Sequence, residues 1–100
     1  MLKFAFISRH QPTPEQYKLA ADAGVNLVHI GDRDAFSVDY SEIASHPEAP
    51  FYGVVVVHPA AAMRLAHRYS IGVFENANRA APGEPVKFTA VGFHVYEALR

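Results

Sequence analysis

The most restrictive stretch of this chain is the run Gly53, Val54, Val55, Val56, Val57, followed at once by His58, Pro59 and the alanines Ala60, Ala61 and Ala62. Consecutive residues with no polar face fit a strand covered on both sides, the environment of a central parallel strand in an α/β sheet. Pro59 suits the first position of a helix, so the strand feeds directly into a helix expected to reach Tyr69. In such sheets ligands sit beyond the carboxyl ends of the strands. Here that end is His58.

The flanking sequence extends the same alternation. Residues 2–8 carry apolar side chains on both sides of a period-2 pattern and read as an interior strand that stops at Ser8, Arg9, His10. Thr13, Pro14, Glu15, Gln16 then supply an N-cap hydroxyl, a proline at the first helical position and a capping-box glutamine. The helix is expected over residues 14–23, with Tyr17, Ala20, Ala21 and Gly24 as its sheet-facing stripe and Gly24 as its stop. Residues 25–30 read as a second strand that completes a right-handed βαβ unit. The charged loop Gly31, Asp32, Arg33, Asp34 follows. Between residues 36 and 50 the pattern supports a short helical turn through Ile43 and Ala44, capped by Asp39 or Ser41 and ended by His46 and Pro47.

In the helix after the central strand, Met63, Ala66 and Tyr69, with Ala62 and Leu65, are expected to face the sheet, leaving Arg64, His67 and Arg68 toward solvent. Residues 71–74 form a fourth strand and residues 75–85 a polar loop. Residues 86–96 alternate Lys87 and Thr89 with Phe88, Ala90 and Gly92, as an antiparallel edge strand would. The expected fold is one Rossmann-like, three-layer α/β domain over residues 1–100. Its sheet is mostly parallel, of about five strands, with a C-terminal antiparallel edge strand.

Charge and composition narrow the partners. Lys and Arg total 9 against 10 Asp and Glu, so a net charge of −1 sets up no global field for long nucleic acid or an anionic membrane. A bound anion must be held by local geometry. With no cysteine there is neither a disulfide framework nor a thiolate metal site. No run approaches the roughly 20 apolar residues of a membrane span, and the apolar start is too short for a secretory signal. The expectation is a soluble, cytoplasmic protein. Six histidines invite a metal, but they lack HExxH or close zinc spacing, and no metal or other cofactor is expected. Asp32 and Asp34 could hold Mg²⁺ on a substrate phosphate, although they meet no ion-binding loop template. GxGxxG, P-loop and GxSxG motifs are absent from the sequence.

Three groups remain as candidate chemistry. Ser8, Arg9 and His10 place a hydroxyl, a guanidinium and an imidazole before a capped helix, a lip that would hold phosphate; the plain alternative is a solvated connection. His58, with Pro59, Ala60 and Ala61, stands at a helix start where small residues admit a ligand to backbone amides. Its alternative is an N-cap or a satisfied buried histidine. Asn76, Asn78 and Arg79 lie where amides could read a base edge and Arg could pair with phosphate, or where any solvated turn carries such residues.

Taken together, Phe6, Ile7, Ser8, Arg9, His10, then Thr13, Pro14, Glu15, Gln16, then His58, Pro59, Ala60, Ala61, Ala62, and the closing Pro85, Val86, Lys87, Phe88, Thr89, Ala90, Val91 resemble the small Rossmann-like, CARF-like CRISPR-associated proteins of type III systems. The resemblance implies antiviral defence, a cyclic oligoadenylate ligand, and a homodimer whose two strand-end surfaces meet one two-fold ligand. Some members are metal-independent ring nucleases. In these a ribose 2′-hydroxyl attacks its neighbouring phosphorus and leaves a 2′,3′-cyclic phosphate, so positioning and charge stabilisation dominate. Carried over, Arg9, His10 and Ser8 would hold the scissile phosphate and His58 would act as general acid or orient the hydroxyl. Gln11, Pro59, Ala60, Ala61, Asn76, Asn78 and Arg79 would contact the ligand. Residues 31–51 match nothing in that group. Two other readings stand beside it: a sensor, sink or anti-defence module without turnover that uses the same residues to sequester the nucleotide or grip a protein, and a small α/β protein bound to a larger assembly through the aromatic face of residues 86–96, with no small ligand. An exposed Phe88 or Phe93 would favour the latter.

Overall fold

The computed structural model describes residues 1–31, 38, 40–56 and 58–99. Eight elements follow in order: β1 (Leu2–Ile7), α1 (Pro14–Asp22), β2 (Val25–Ile30), α2 (Tyr40–Ala44), β3 (Gly53–Val55), α3 (Pro59–Leu65), β4 (Ser70–Asn78) and β5 (Phe88–Tyr96). The strands form one sheet in the order β2-β1-β3-β4-β5, with β4–β5 antiparallel and every other pair parallel. The expected Rossmann-like three-layer α/β fold is what the chain adopts, and β3 is its middle strand.

Alternation along the strands builds a core on each face. Phe4 and Phe6 of β1 pack with Ala20 of α1, Val25, Leu27 and Val55. Ala5 and Ile7 point the other way, toward Ile43 of α2 and Ala61 and Leu65 of α3. A strand that buries both faces must be apolar at every position, which is why the run at β3 stood out. Gly53 is there for a close approach: a Cβ would run into the Phe4 ring and come within 2.6 Å of the Ser70 carbonyl.

Several expectations shift in register. Thr13 does cap α1, with the complete capping box to Gln16, and Gly24 follows at φ +80°, the left-handed stop that suits glycine. Ala20 of the expected stripe is buried, with Gln16 and Leu19 half-buried beside it; Tyr17 and Ala21 are exposed. α1 lies close to β2 and β5, and its Ala20 packs with Phe4 and Phe6 of β1. In α3 the inner residues are Ala61 and Leu65, one turn apart, so Met63 points away and is exposed. The helix also stops at Leu65. The Leu65 carbonyl accepts from both Arg68 N (3.1 Å) and Tyr69 N (3.0 Å), and the chain turns there into β4.

The loop expected over residues 75–85 is partly strand. β4 continues to Asn78, paired with Phe88 across a bulge between Glu75 and Asn76. This arm projects past the short β3 with much of its surface in water, so apolar alternation could not mark it. The chain then turns on Asn78, whose Oδ1 accepts from Ala80 N (3.0 Å) and Lys87 N (3.1 Å). Val56 is buried beyond the β3 ladder. The charged residues Asp32, Arg33 and Asp34, the candidate cap Asp39 and Val57 lie outside the described residues. Among the described residues no helix is long and apolar enough to cross a membrane.

Candidate functional site

The strand order dictates where the sheet opens. From β1 the chain goes to β2 on one side through α1, on one face; β3 lies on the other side of β1, and α2 and α3 cover the opposite face. The connections therefore diverge between β1 and β3, and the crevice beyond their carboxyl ends is the place where folds of this order seat ligands. Ser8, Arg9 and His10 leave β1 there, and His58 stands three residues past β3.

What the side chains do there is more specific than their types. Ser8 is half-buried, and its Oγ accepts from His10 N at 3.1 Å, tightening the loop. Arg9, His10 and Gln11 are exposed on that loop. The loop is tied from below by His29 of β2, whose Nε2 lies 2.8 Å from the Ser8 carbonyl. A carbonyl only accepts, so Nε2 carries the proton. The His29 ring packs beside Phe6 at 6.3 Å between centroids, and a Cβ at Gly31 would come within 3.2 Å of it. His29 is thus a positioning residue for the candidate phosphate lip.

His58 is the N-cap of α3, with extended backbone (φ −99°, ψ 123°) and Nδ1 accepting from Ala60 N at 3.1 Å. That hydrogen bond needs Nδ1 unprotonated, which leaves Nε2 as the proton-bearing nitrogen of the neutral ring. Pro59 and Ala60 are exposed, whereas Ala61 is buried in the core and its methyl serves packing.

Beside this rim lies a hollow of about 250 Å³ on the α1 face. Phe6, Val55 and Phe74 line it with apolar surface, and Gln16 and Asn76 add two amides. Gln16 spends its Oε1 on Thr13 N (2.9 Å) in the capping box, which leaves its NH₂ as a donor toward the hollow. The hollow is smaller than a pocket for a whole drug-sized ligand and suits a single ring. Of the sequence candidates Asn76 lines it; Ser8, Arg9, His10 and His58 do not. Asn78 is a hairpin staple, and exposed Arg79 pairs through its backbone with Lys87 (2.8 Å).

Family models, curated proteins and solved structures were compared with the chain, and none matches. The site must be read from its own geometry. Two of its residues escaped the sequence reading. Gln16 was fully accounted for as a cap, and its second amide group gave no separate signal. His29 carried one: period 2 along β2 puts it on the same face as Leu27, beside the end of β1. Among the described residues no three His, Asp or Glu side chains gather as a metal ion would require.

Proposed function

We propose that the protein binds a cyclic oligoadenylate over the carboxyl ends of β1 and β3. A base enters the hollow between Phe6, Phe74, Gln16 and Asn76, and phosphates lie against Arg9 and His10. The observation that carries this reading is the hollow itself, at the point where the strand order diverges. Aromatic walls stack on a base; Asn76 offers a donor and an acceptor to a base edge, and Gln16 adds its NH₂ donors. The neighbouring guanidinium is the group that forks onto a phosphate. In this reading two copies meet at their strand-end surfaces around one two-fold ligand.

Cleavage is the further step of the proposal. The ribose 2′-oxygen forms a bond to phosphorus as the bond to the 5′-oxygen breaks, and the proton lost at the 2′-hydroxyl is matched by one gained at the 5′-oxygen. Both protons are exchanged with solvent: with Nδ1 accepting from Ala60 N, the neutral His58 ring orients the 2′-hydroxyl through Nε2–H, and Arg9 stabilises the charge on phosphorus. A non-catalytic sensor or sink is the second reading. It is favoured by the engagement of Ser8 Oγ and His58 Nδ1 with backbone amides. Docking of a protein partner on the hairpin arm draws support from Phe88, which is 66% exposed.

The test is to incubate purified protein with labelled cyclic tri-, tetra- and hexa-adenylate in EDTA and follow binding and products together. Binding that Arg9→Ala weakens at least tenfold, the scale of a lost charged hydrogen bond, is the expected result. Neither binding nor cleavage with any ring would sink the nucleotide reading and leave the protein-docking one. Binding without products would leave the sensor or sink.

A further inference from the structure

A second cavity, of about 560 Å³, opens at the opposite end of the sheet, where the chain enters β3 and β4. Its size is in the range of a small-molecule pocket. Pro50 and Phe51 give it apolar surface, Tyr40 comes from α2, and His67, Arg68 and Tyr69 come from the turn after α3. None of these residues belongs to the site proposed above.

Among the described residues the side chains of this cleft offer donors and no carboxylate. Arg68 lies over the Tyr40 ring, its guanidinium carbon 4.0 Å from the centroid, and the Tyr40 and Tyr69 rings are 6.0 Å apart at 41°. Stacking fixes the plane of the guanidinium while leaving its N–H edge to meet an anion. Among the described residues no carboxylate pairs with Arg68 or His67, and none lines the cavity. Burial raises the Tyr69 phenol above its ordinary value, Tyr40 adds to this, and Arg68 pulls it partly back. The phenol is therefore protonated at neutral pH and able to donate.

We propose that this amino-end cleft binds a small aromatic acid, with the ring against Phe51 and Pro50 and the carboxylate on the edge of Arg68 within reach of the tyrosine hydroxyls. One permanent positive charge among aromatic walls matches one negative charge on a planar body. With Arg68 as the permanent charge in the cleft, a monoanion is the fitting class. This inference is independent of the nucleotide reading, which concerns the other end of the sheet.

Benzoate is the probe, and its neutral isostere benzamide the control, each titrated against ¹⁵N-labelled full-length protein by NMR. Benzoate up to about 10 mM should saturably shift the amide signals of Tyr40, Phe51, Arg68 and Tyr69, and benzamide should bind at least tenfold more weakly. Arg68→Met, at an exposed position, should stay folded and lose benzoate affinity at least tenfold; Arg68→Lys, which keeps charge but not the fork, should fall between. Equal binding of benzoate and benzamide, an unchanged Arg68→Met variant, or no shift with either benzoate or 2-naphthoate would overturn the proposal. Shifts confined to α1 and β4 would overturn it as well, since they would place the ligand in the other hollow.

Discussion

The two ends of this sheet carry similar residue types and employ them in opposite ways. At the carboxyl end, Ser8 Oγ, His29 Nε2, His58 Nδ1 and Gln16 Oε1 each hold a main-chain group of this chain. At the amino end, Arg68, His67, Tyr40 and Tyr69 surround a cavity, and no hydrogen bond among the described residues uses up their side-chain donors. The carboxyl end is where the fold directs a ligand; the amino end is where more of the polar capacity is unspent. A polar residue at a strand end marks a site only through the atoms that the local backbone leaves over.

The largest effect should come from removing the framework common to both ends. Gly53→Ala puts a methyl group against the Phe4 ring and the Ser70 carbonyl, between two strands that cannot part without breaking their ladders. We expect a loss of about 3 kcal/mol, the upper range for overpacking, and a fall in Tm of about 15 °C for a domain of this size. Ligand binding at the two ends should weaken together near the transition. A variant melting within a few degrees of the wild type would mean that β3 is not clamped as tightly as the geometry requires.

Next in size is the substitution that separates the two roles of His58. Replacing it by Ala removes the α3 cap and should cost about 1 kcal/mol, whereas Asn retains a cap acceptor and should restore most of that stability. Urea titrations of the three proteins measure this directly. If the imidazole also serves the nucleotide, His58→Asn should be stable and still impaired in binding or cleavage. Full activity in His58→Asn would reduce His58 to a cap and remove it from the proposed chemistry. Neither variant should change benzoate binding at the amino end.

The comparison also explains which features could be read from the sequence. β3, the Thr13 capping box and the βαβ opening were legible because each depends on residues adjacent in the chain and on a strong local preference. In and just after α3 the expected Ala62, Leu65, Ala66 and Tyr69 do meet the core, with Ala61 in place of Met63, and on α1 Ala20 is buried while Tyr17 and Ala21 are not, since the rotation of a helix is set by what lies beneath it. β4 beyond Phe74 was missed because a solvated hairpin needs no apolar alternation. At the site, the positions of Ser8, Arg9, His10 and His58 at strand ends followed from topology, but their hydrogen bonds did not. Whether His58 caps or serves a ligand depends on one ψ angle and one Ala60 amide. The amino-end cleft joins Tyr40, Phe51 and Arg68 from three connections, and no spacing in the chain announces such a meeting.

A smaller effect concerns the seat of the phosphate lip. His29→Phe preserves a ring beside Phe6 but leaves the Ser8 carbonyl without its N–H donor. The expected loss is about 1 kcal/mol, accompanied by faster amide exchange at Arg9 and His10. Exchange unchanged at those two residues would show that the loop is held by Ser8 Oγ alone.

The smallest effect separates the ends by pH. The folded state holds the Tyr69 phenol above its ordinary value through burial and the neighbouring Tyr40, with Arg68 opposing. An unfolded tyrosine ionises near pH 10. Above that pH the unfolded chain gives up the proton while the folded chain still holds it, so folding takes up a proton and stability falls with rising pH. The stability difference between wild type and Tyr69→Phe should therefore be constant below about pH 10 and then shrink, to the disadvantage of the wild type, as pH rises toward the folded value. The other four tyrosines are common to both proteins and cancel in the comparison. Urea midpoints at pH 8 and pH 10.5 measure it. A difference that stays level, or that grows in favour of the wild type, would mean that the phenol is solvated or paired with Arg68 strongly enough to outweigh burial.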